Sequence, residues 1–190
     1  MRVSAKRRRQ QLLHSGARLL ALPGLVVLLA AGLPASGAWQ SVTIRDPVRG
    51  DIGQIAAAEG SIKYRGRLQR ALLIVECADG ATSLSLTTAD MYFGNGRSQV
   101  QWSIDGSKLE GGSWMSCPRG DCLALRGERA IGIARTLVEA VELRLVIDRG
   151  YGATIDANFD VEDGRAAVTA VGKRCGWLTG DVPGKPQVAR

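Results

Sequence analysis

Hydrophobic and polar residues alternate along much of this chain, which is the pattern of antiparallel strands that bury one face. In Thr82–Thr88, Leu84 and Leu86 alternate with hydroxyl-bearing residues, and Glu142–Asp148 repeats the alternation with charged residues. Leu68–Cys77 is instead a nearly continuous apolar run, which predicts a strand covered on both faces. The chain is therefore predicted to be rich in β-structure.

Turn dipeptides separate these strands. Asp79-Gly80, Asn95-Gly96 and Asp105-Gly106 are typical of two-residue hairpin turns, and each follows or precedes an alternating segment. Together they predict an antiparallel meander. Shorter strands are predicted at Ser113–Met115 and Leu123–Leu125.

Residues 39–67 are harder to interpret. Ser41–Pro47 predicts a short strand that runs into a turn, whereas Ile52–Glu59, with three consecutive alanines, fits either a strand or a short helix. We therefore divide the chain after its first 38 residues into an N-terminal segment, 39–67, and a core domain, 68–177.

Two later segments have the helical period of 3.6 residues. Apolar residues recur at helical spacing in Glu128–Ala140, and the final segment, Phe159–Trp177, begins as a strand and then changes period. The apolar stripe of the last helix comprises Val161, Gly164, Val168, Val171 and Cys175.

The ends of this last helix also have recognisable signals. Asp163 is the predicted N-terminal cap, Lys173 and Arg174 lie in the last turn, and Gly176 follows it. The predicted fold class is α+β: a curved antiparallel sheet or small β-sandwich with two helices near the C-terminus, stapled by disulfides.

The net charge of +7 suggests a nucleic-acid partner, but its distribution argues against one. Six of the 25 basic residues, and none of the 18 acidic ones, precede Trp39, which leaves a net charge of +1 for the remainder. The excess of positive charge therefore belongs to the leader, and no nucleic-acid partner is expected.

Residues 1–38 have the form of a secretory signal peptide. A basic start is followed by an apolar run, Leu19–Leu33, and by small residues at Ser36 and Ala38. We expect cleavage after Ala38, a periplasmic location and no stable membrane span afterwards; the general and twin-arginine export routes are both open. The tail, 178–190, is rich in Pro and Gly and is predicted to be flexible.

Four cysteines in an exported chain of this size predict disulfides. Three pairings are open in principle. Cys117 and Cys122 flank a short loop that contains turn residues, which favours a local bridge there. That pairing leaves Cys77, at the end of the most apolar strand, to join Cys175 on the buried stripe of the last helix.

The residues available for catalysis are restricted. The one histidine, His14, lies in the leader, so histidine-based triads and histidine-ligated zinc are excluded from the remainder. The acidic series at Asp156–Asp163 starts like a calcium loop but has Val161 and Ala167 where glycine and glutamate are needed. No cofactor, metal or catalytic residue is therefore predicted, and the series is interpreted as the wet face of a strand.

Four residues form the predicted interaction surface. Arg119 and Asp121 belong to an Arg-Gly-Asp tripeptide inside the short cysteine loop, where a chance match is the simpler explanation. Trp114 and Trp177 could offer stacking surface, although packing against the neighbouring cysteines is the simpler explanation.

An ordered set of motifs covers more than half of the chain. It comprises the apolar strand Leu72–Cys77, then Thr82–Leu84, Val100–Gly106, Trp114, Leu143–Leu145, Ala157–Val161 and Cys175–Trp177. This set resembles the VasI/TagO-like family of exported proteins associated with type VI secretion. The resemblance implies a periplasmic accessory or adaptor protein, non-enzymatic, that binds a protein of the cell envelope such as a component of the secretion apparatus.

Two other hypotheses come from different functional classes. The chain could bind peptidoglycan or hydrolyse it with the carboxylates of Asp156–Asp163, or it could inhibit a target with its Cys117–Cys122 loop. Neither hypothesis is supported by the resemblance.

Overall fold

A computed structural model of the chain describes residues 39–48, 50–150 and 153–178. All of them belong to one compact unit. The predicted signal peptide, and the predicted tail after Leu178, lie outside the described residues.

The described residues form nine strands and two α-helices. In chain order they are β1 (Gln40–Asp46), β2 (Gly50–Tyr64), β3 (Arg67–Ala78), β4 (Ala81–Thr88), β5 (Arg97–Ile104), β6 (Glu110–Ser116), β7 (Cys122–Arg126), α1 (Glu128–Leu137), β8 (Glu142–Asp148), β9 (Thr154–Asp160) and α2 (Arg165–Cys175), the last preceded by a 3-10 turn at Glu162–Gly164.

Eight of the strands close into an antiparallel barrel. The order is β2-β3-β4-β7-β6-β5-β8-β9, and β9 returns to β2 by pairing Asp156–Phe159 with Gly60–Lys63. β1 and β9 both pair with the edge of β2 that β3 leaves free. β1 pairs with the first half of β2, and β9 pairs with a segment nearer its C-terminal end. The expected curved sheet is therefore a closed barrel, and the alternative of a β-sandwich is wrong.

The predicted meander is also wrong in one place. β4 pairs with β3 and β7, so Asn95-Gly96 lies in a connection between strands that do not pair with each other. The turns at Asp79-Gly80 and Asp105-Gly106 do join paired strands, and both have the left-handed backbone that such turns require.

Alternation along each strand fills the barrel interior. On β3, Leu73 and Val75 are fully buried, whereas Leu72 is 38% exposed and Leu68 is 72% exposed. The prediction that this strand is covered on both faces is therefore wrong, because no described element packs over the outer face of the barrel at these positions. A closed barrel needs only its inner face to be apolar.

Both helices pack against this same interior. The buried residues of α1 and α2 join the strand residues in a single cluster. Every member of the predicted stripe of the last helix is buried, and Gly176 ends the helix in the left-handed conformation. Asp163 is not the N-terminal cap as predicted, because the chain first makes a 3-10 turn, in which Glu162 N donates to Asp160 Oδ1.

Two glycines interrupt the apolar pattern of residues 39–67. Ile52–Glu59 lies within the long strand β2, so the helical alternative is wrong. A Cβ atom at Gly53 would collide with Ile44 and with the Cys77 carbonyl, and one at Gly60 would collide with the Phe159 ring. The Ile44 and Phe159 side chains thus fill the space that side chains at positions 53 and 60 would need. Glycine at these two positions interrupts the apolar pattern of the strand.

The barrel has two different ends. The turns at 79–80 and 105–106 lie at the end that carries both helices, which we call the helical end. Because the strands are antiparallel, the connections at 65–66, 89–96 and 117–121 and the end of β8 all lie at the other end. This loop end carries most of the exposed candidate residues.

Candidate functional site

Cys77 and Cys175 are bonded to each other, as are Cys117 and Cys122. The first bridge joins the end of β3 to the last turn of α2, with a Cα–Cα distance of 5.7 Å. The second closes the loop between β6 and β7 at the loop end. No free cysteine occurs in the part of the chain that the structure describes.

Trp177 connects β4, α1 and the end of α2 at the helical end. Its Nε1 donates to Thr82 Oγ1 at 3.1 Å, and its carbonyl accepts from Arg135 Nη2 at 2.8 Å. The Arg135 guanidinium also lies 5.9 Å from the centroid of the indole ring. The Trp177 side chain is 7% exposed. Three successive residues of the Cys-Gly-Trp motif therefore have structural roles: Cys175 forms the disulfide, Gly176 ends the helix, and Trp177 packs in the core.

Burial divides the four residues of the predicted interaction surface. Trp114 is fully buried on the inner face of β6, and Trp177, two residues after the end of α2, is 7% exposed. Their rings therefore contribute packing and offer no stacking surface in this structure. Arg119 and Asp121 form an ion pair at the surface, with side chains 87% and 36% exposed.

The loop that carries Arg119 and Asp121 is held against the neighbouring loop. Phe93 N donates to the Gly120 carbonyl at 2.7 Å, and Thr87 Oγ1 donates to the Asp121 carbonyl at 3.2 Å. Gly120 has a φ of +71°, and its Cα lies so close to the Tyr92 ring that a Cβ would overlap it. The loop is therefore fixed by backbone contacts, and its ion pair faces solvent.

A groove of about 740 Å³ lies beside this loop, and we call it the arginine groove. It runs between the β2–β3 turn, the β4–β5 connection and the end of β8. Its lining residues are Tyr64, Arg65, Arg67, Gln69, Asp90, Met91, Tyr92 and Arg149. Tyr92 belongs both to the groove and to the contact with Gly120, so the groove and the cysteine loop form one continuous surface.

The arginine groove combines positive charge with aromatic surface. Three arginines line it, and Asp90 is the one acid among its described lining residues. Tyr92 is 56% exposed, and the Arg65 guanidinium lies 5.1 Å from the centroid of the Tyr64 ring. Such a surface fits a negatively charged partner with planar groups, because guanidinium bonds carboxylates in a two-pronged geometry and stacks on flat rings.

The carboxylates of β9 are used within the fold. Asp156 Oδ1 accepts from Arg144 Nε and Nη2 at 3.0 and 2.7 Å across the β8–β9 pair, and Asp160 caps the next turn. Throughout residues 39–48, 50–150 and 153–178, no three His, Cys, Asp or Glu side chains are grouped as metal ligands. These contacts give Asp156 and Asp160 structural roles within the fold.

Asp105, in the motif Val100–Gly106, also has a structural role. Its Oδ1 accepts from Val141 N at 2.9 Å and from Glu142 N at 2.8 Å, which joins the β5–β6 turn to the start of β8. Two backbone donors that begin a barrel strand are thereby satisfied.

No sequence motif predicts the arginine groove. Arg65 and Arg67 are close neighbours in the chain, but Arg149 follows more than eighty residues later. The available signal was their position beside turns, in Tyr64–Arg67 and at Arg149-Gly150. That signal becomes informative only when the strand order places these turns at the same end of the barrel.

Together these features define a small, disulfide-tied antiparallel β-barrel with a basic loop end and a helix-covered opposite end. The chain belongs to the family described as type VI secretion system VasI, EvfG, VC_A0118, whose family model matches residues 53–177. The resemblance inferred from the motifs is thereby confirmed, and the match associates the chain with type VI secretion. No curated protein and no solved structure matches the chain.

The two α-helices of the described residues are 10 and 11 residues long. Neither α1 nor α2 is long and apolar enough to cross a bilayer.

Proposed function

We propose that this chain is an exported, periplasmic accessory protein of a type VI secretion system, and that it acts by binding another protein of the cell envelope. The family match supports the association with type VI secretion. The leader-like residues 1–38 and the paired cysteines support export. The observation that carries the binding role is the arginine groove at the loop end.

The proposed partner presents an acidic segment to the groove. Arg65, Arg67 and Arg149 can each bond a carboxylate, and Tyr64 and Tyr92 provide apolar contact area beside them. Tyrosine and arginine are also the residues that most often carry binding energy at protein interfaces. Tyr64 and Arg67 are the end residues of paired strands, so their backbone is already ordered and less conformational entropy is lost on binding.

Arg119 and Asp121 extend this proposed surface. Their loop touches Tyr92 through Gly120, and their own ion pair is exposed. Exposed ion pairs contribute little to stability, so both charges remain available to a partner at small cost.

We also propose that the protein acts without catalysis. Its histidine precedes Trp39. The carboxylates that a hydrolase would use are occupied structurally, since Asp156 pairs with Arg144 and Asp160 caps a turn. A binding role needs no rearrangement of these contacts.

The test is in-cell crosslinking of the full chain, followed by purification from the periplasm and mass spectrometry. We expect crosslinks from the loop end to a component of the secretion apparatus, and a mature N-terminus at Trp39. Arg67→Glu should remove most of these crosslinks. Lys108→Glu makes the same charge change at an exposed position of the helical end and should leave them intact.

Three results would contradict the proposal. Crosslinks to wall fragments alone would favour the peptidoglycan hypothesis. Equal loss of crosslinks in Arg67→Glu and Lys108→Glu would show a non-specific charge effect. Once the partner is identified, binding that is indifferent to ionic strength would exclude an acidic segment, because exposed charges are screened by salt.

A further inference from the structure

The outer edge of β1 is unpaired. β1 pairs with β2 through one edge, and no other strand in the described part of the chain pairs with the second edge. From Gln40 to Ile44 this edge contains neither a charged residue nor a proline, which natural proteins commonly use to protect exposed edges. A register shift follows Ile44, and Arg45 and Asp46 end the strand, so the regular edge is five residues long.

The direction of each backbone group follows from the register. The two-residue turn at 65–66 makes Tyr64 and Arg67 a hydrogen-bonded pair, and hydrogen-bonded pairs then alternate along β2. This alternation makes Val42 and Ile55 a hydrogen-bonded pair on the other side of β2. Ser41 and Thr43, on either side of Val42, therefore direct their N–H and C=O groups away from the barrel.

We propose that this edge pairs with the same edge of a second copy, antiparallel and about a two-fold axis at Val42. Ser41 of each copy then lies opposite Thr43 of the other. Because these are the residues whose backbone groups point outward, the two pairs exchange four hydrogen bonds. A closed two-fold contact uses each free edge once and leaves no further edge to continue the assembly.

The side chains agree with this register. Val42 is 54% exposed and lies beside the half-buried Ile55 on the outer face of the sheet. The two-fold axis brings the two valines together, so an apolar row of isoleucine, valine, valine and isoleucine crosses the contact. On the other face, hydroxyls of Ser41 and Thr43 face each other, and no like charges are opposed between Gln40 and Ile44.

This contact goes beyond the proposed binding of an envelope protein. β1 lies along the half of β2 nearer the helical end, so pairing leaves the arginine groove of each copy free. A five-residue edge buries little surface, so we expect association that strengthens with protein concentration rather than a permanent dimer.

The first test is sedimentation velocity of the full chain over a range of concentrations. The chain should approach the mass of a dimer as its concentration rises. Thr43→Pro removes an outward N–H and none that pairs with β2, so it should sediment as a monomer throughout. Thr43→Val loses the same hydroxyl contact with Gln54 but keeps the N–H, and should still associate.

The second test uses single cysteines. Residues opposite each other in a non-hydrogen-bonded pair have Cα atoms about 4.5 Å apart, a distance that a disulfide can span. Val42→Cys should therefore form a disulfide-linked dimer on mild oxidation. In Gln40→Cys the two new cysteines would be displaced by four residues, about 13 Å, and should not link. The four native cysteines are already paired.

A monomer at every concentration would overturn the proposal. So would a dimer that persists in Thr43→Pro with unchanged circular dichroism, because another surface would then be responsible. Equal linking of Val42→Cys and Gln40→Cys would indicate random collision. If Thr43→Pro abolishes crosslinking to another protein while the chain alone is monomeric, the edge binds that protein and the second copy is excluded.

Discussion

The side chains of Cys77 and Cys175 are bonded across a sequence separation of 98 residues, with their Cα atoms 5.7 Å apart. The bond attaches the last turn of α2 to the end of β3, beside the Trp177 side chain. The second bridge, between Cys117 and Cys122, spans a separation of five. The two bridges therefore differ mainly in the length of chain that they restrict in the unfolded state.

Cys175→Ala should lower the free energy of unfolding more than Cys117→Ala. In the chain-entropy model the long bridge stabilises by about 4–5 kcal/mol and the short one by about 2 kcal/mol. Urea denaturation of the oxidised proteins measures both differences, and Cys77→Ala serves as a control because it should match Cys175→Ala. Equal midpoints for Cys175→Ala and Cys117→Ala would contradict the prediction.

Thr82→Val should destabilise the helical end. The substitution keeps the shape of a side chain that is 3% exposed, but it leaves Trp177 Nε1 without its acceptor, at a cost of about 1–3 kcal/mol. Thr136→Val is the matched control, because Thr136 is exposed and its hydroxyl donates only to its own helix. Thermal unfolding followed by tryptophan fluorescence measures both, and equal effects would show that the Thr82 contact contributes nothing specific.

Asp105→Ala should cost more stability than Asp79→Ala. Both residues begin turns with φ near +50°, so the loss of a favourable left-handed residue is common to both substitutions. Only the first also leaves Val141 N and Glu142 N without their acceptor, which should add about 1–3 kcal/mol. Faster amide hydrogen exchange at the start of β8 in Asp105→Ala alone would locate the effect, and no difference between the variants would contradict it.

Gly120→Ala should disturb the loop end, whereas Gly80→Ala should not. Both glycines have positive φ, +71° and +76°, so both substitutions carry the same backbone strain. A methyl group at Gly120 overlaps the Tyr92 ring, whereas one at Gly80 meets no atom within 4 Å. We expect an additional loss of about 1–3 kcal/mol at Gly120, and weaker crosslinking of the partner. If Gly120→Ala binds its partner normally, the position of Tyr92 is not part of the binding surface.

The sequence predicted what depends on neighbouring residues. Glu142–Asp148 forms a strand with the predicted bounds, and the turns at Asp79-Gly80 and Asp105-Gly106 join paired strands. The period of the last helix correctly identified the face that carries Cys175. In each case, side chains within a few positions of each other determine the backbone that they require.

What the sequence did not predict depends on partners far along the chain. Asn95-Gly96 has the sequence of a hairpin turn, but β4 pairs with β7 and not with β5. The dipeptide is therefore part of the longer connection between β4 and β5. Closure of the barrel depends on the pairing of Gly60 with Phe159, in which glycine is needed because the Phe159 ring and the Asn158 carbonyl occupy the space of a Cβ atom. No local pattern reports either contact.

The candidate site follows the same division. The cysteine loop was visible in the sequence, and Arg119 and Asp121 do lie at the surface. The sequence shows that Trp114 and Trp177 have large aromatic side chains, but it does not show whether they face solvent or the core. Both side chains are buried. The arginine groove depends on the β2–β3 turn, the β4–β5 connection and the end of β8 lying together at one end of the barrel, which only the strand order determines.

The return of β9 to β2 has a consequence for how the protein is made. The ribosome delivers β2 early, yet the edge of β2 that receives β9 stays empty until almost the whole barrel sequence has been synthesised, and such distant pairings form slowly. A chain interrupted before β9 leaves open edges on β2 and β8 and keeps Cys77 without its partner. The barrel therefore cannot close before β9 has been delivered, and its long disulfide cannot form before α2 has been delivered.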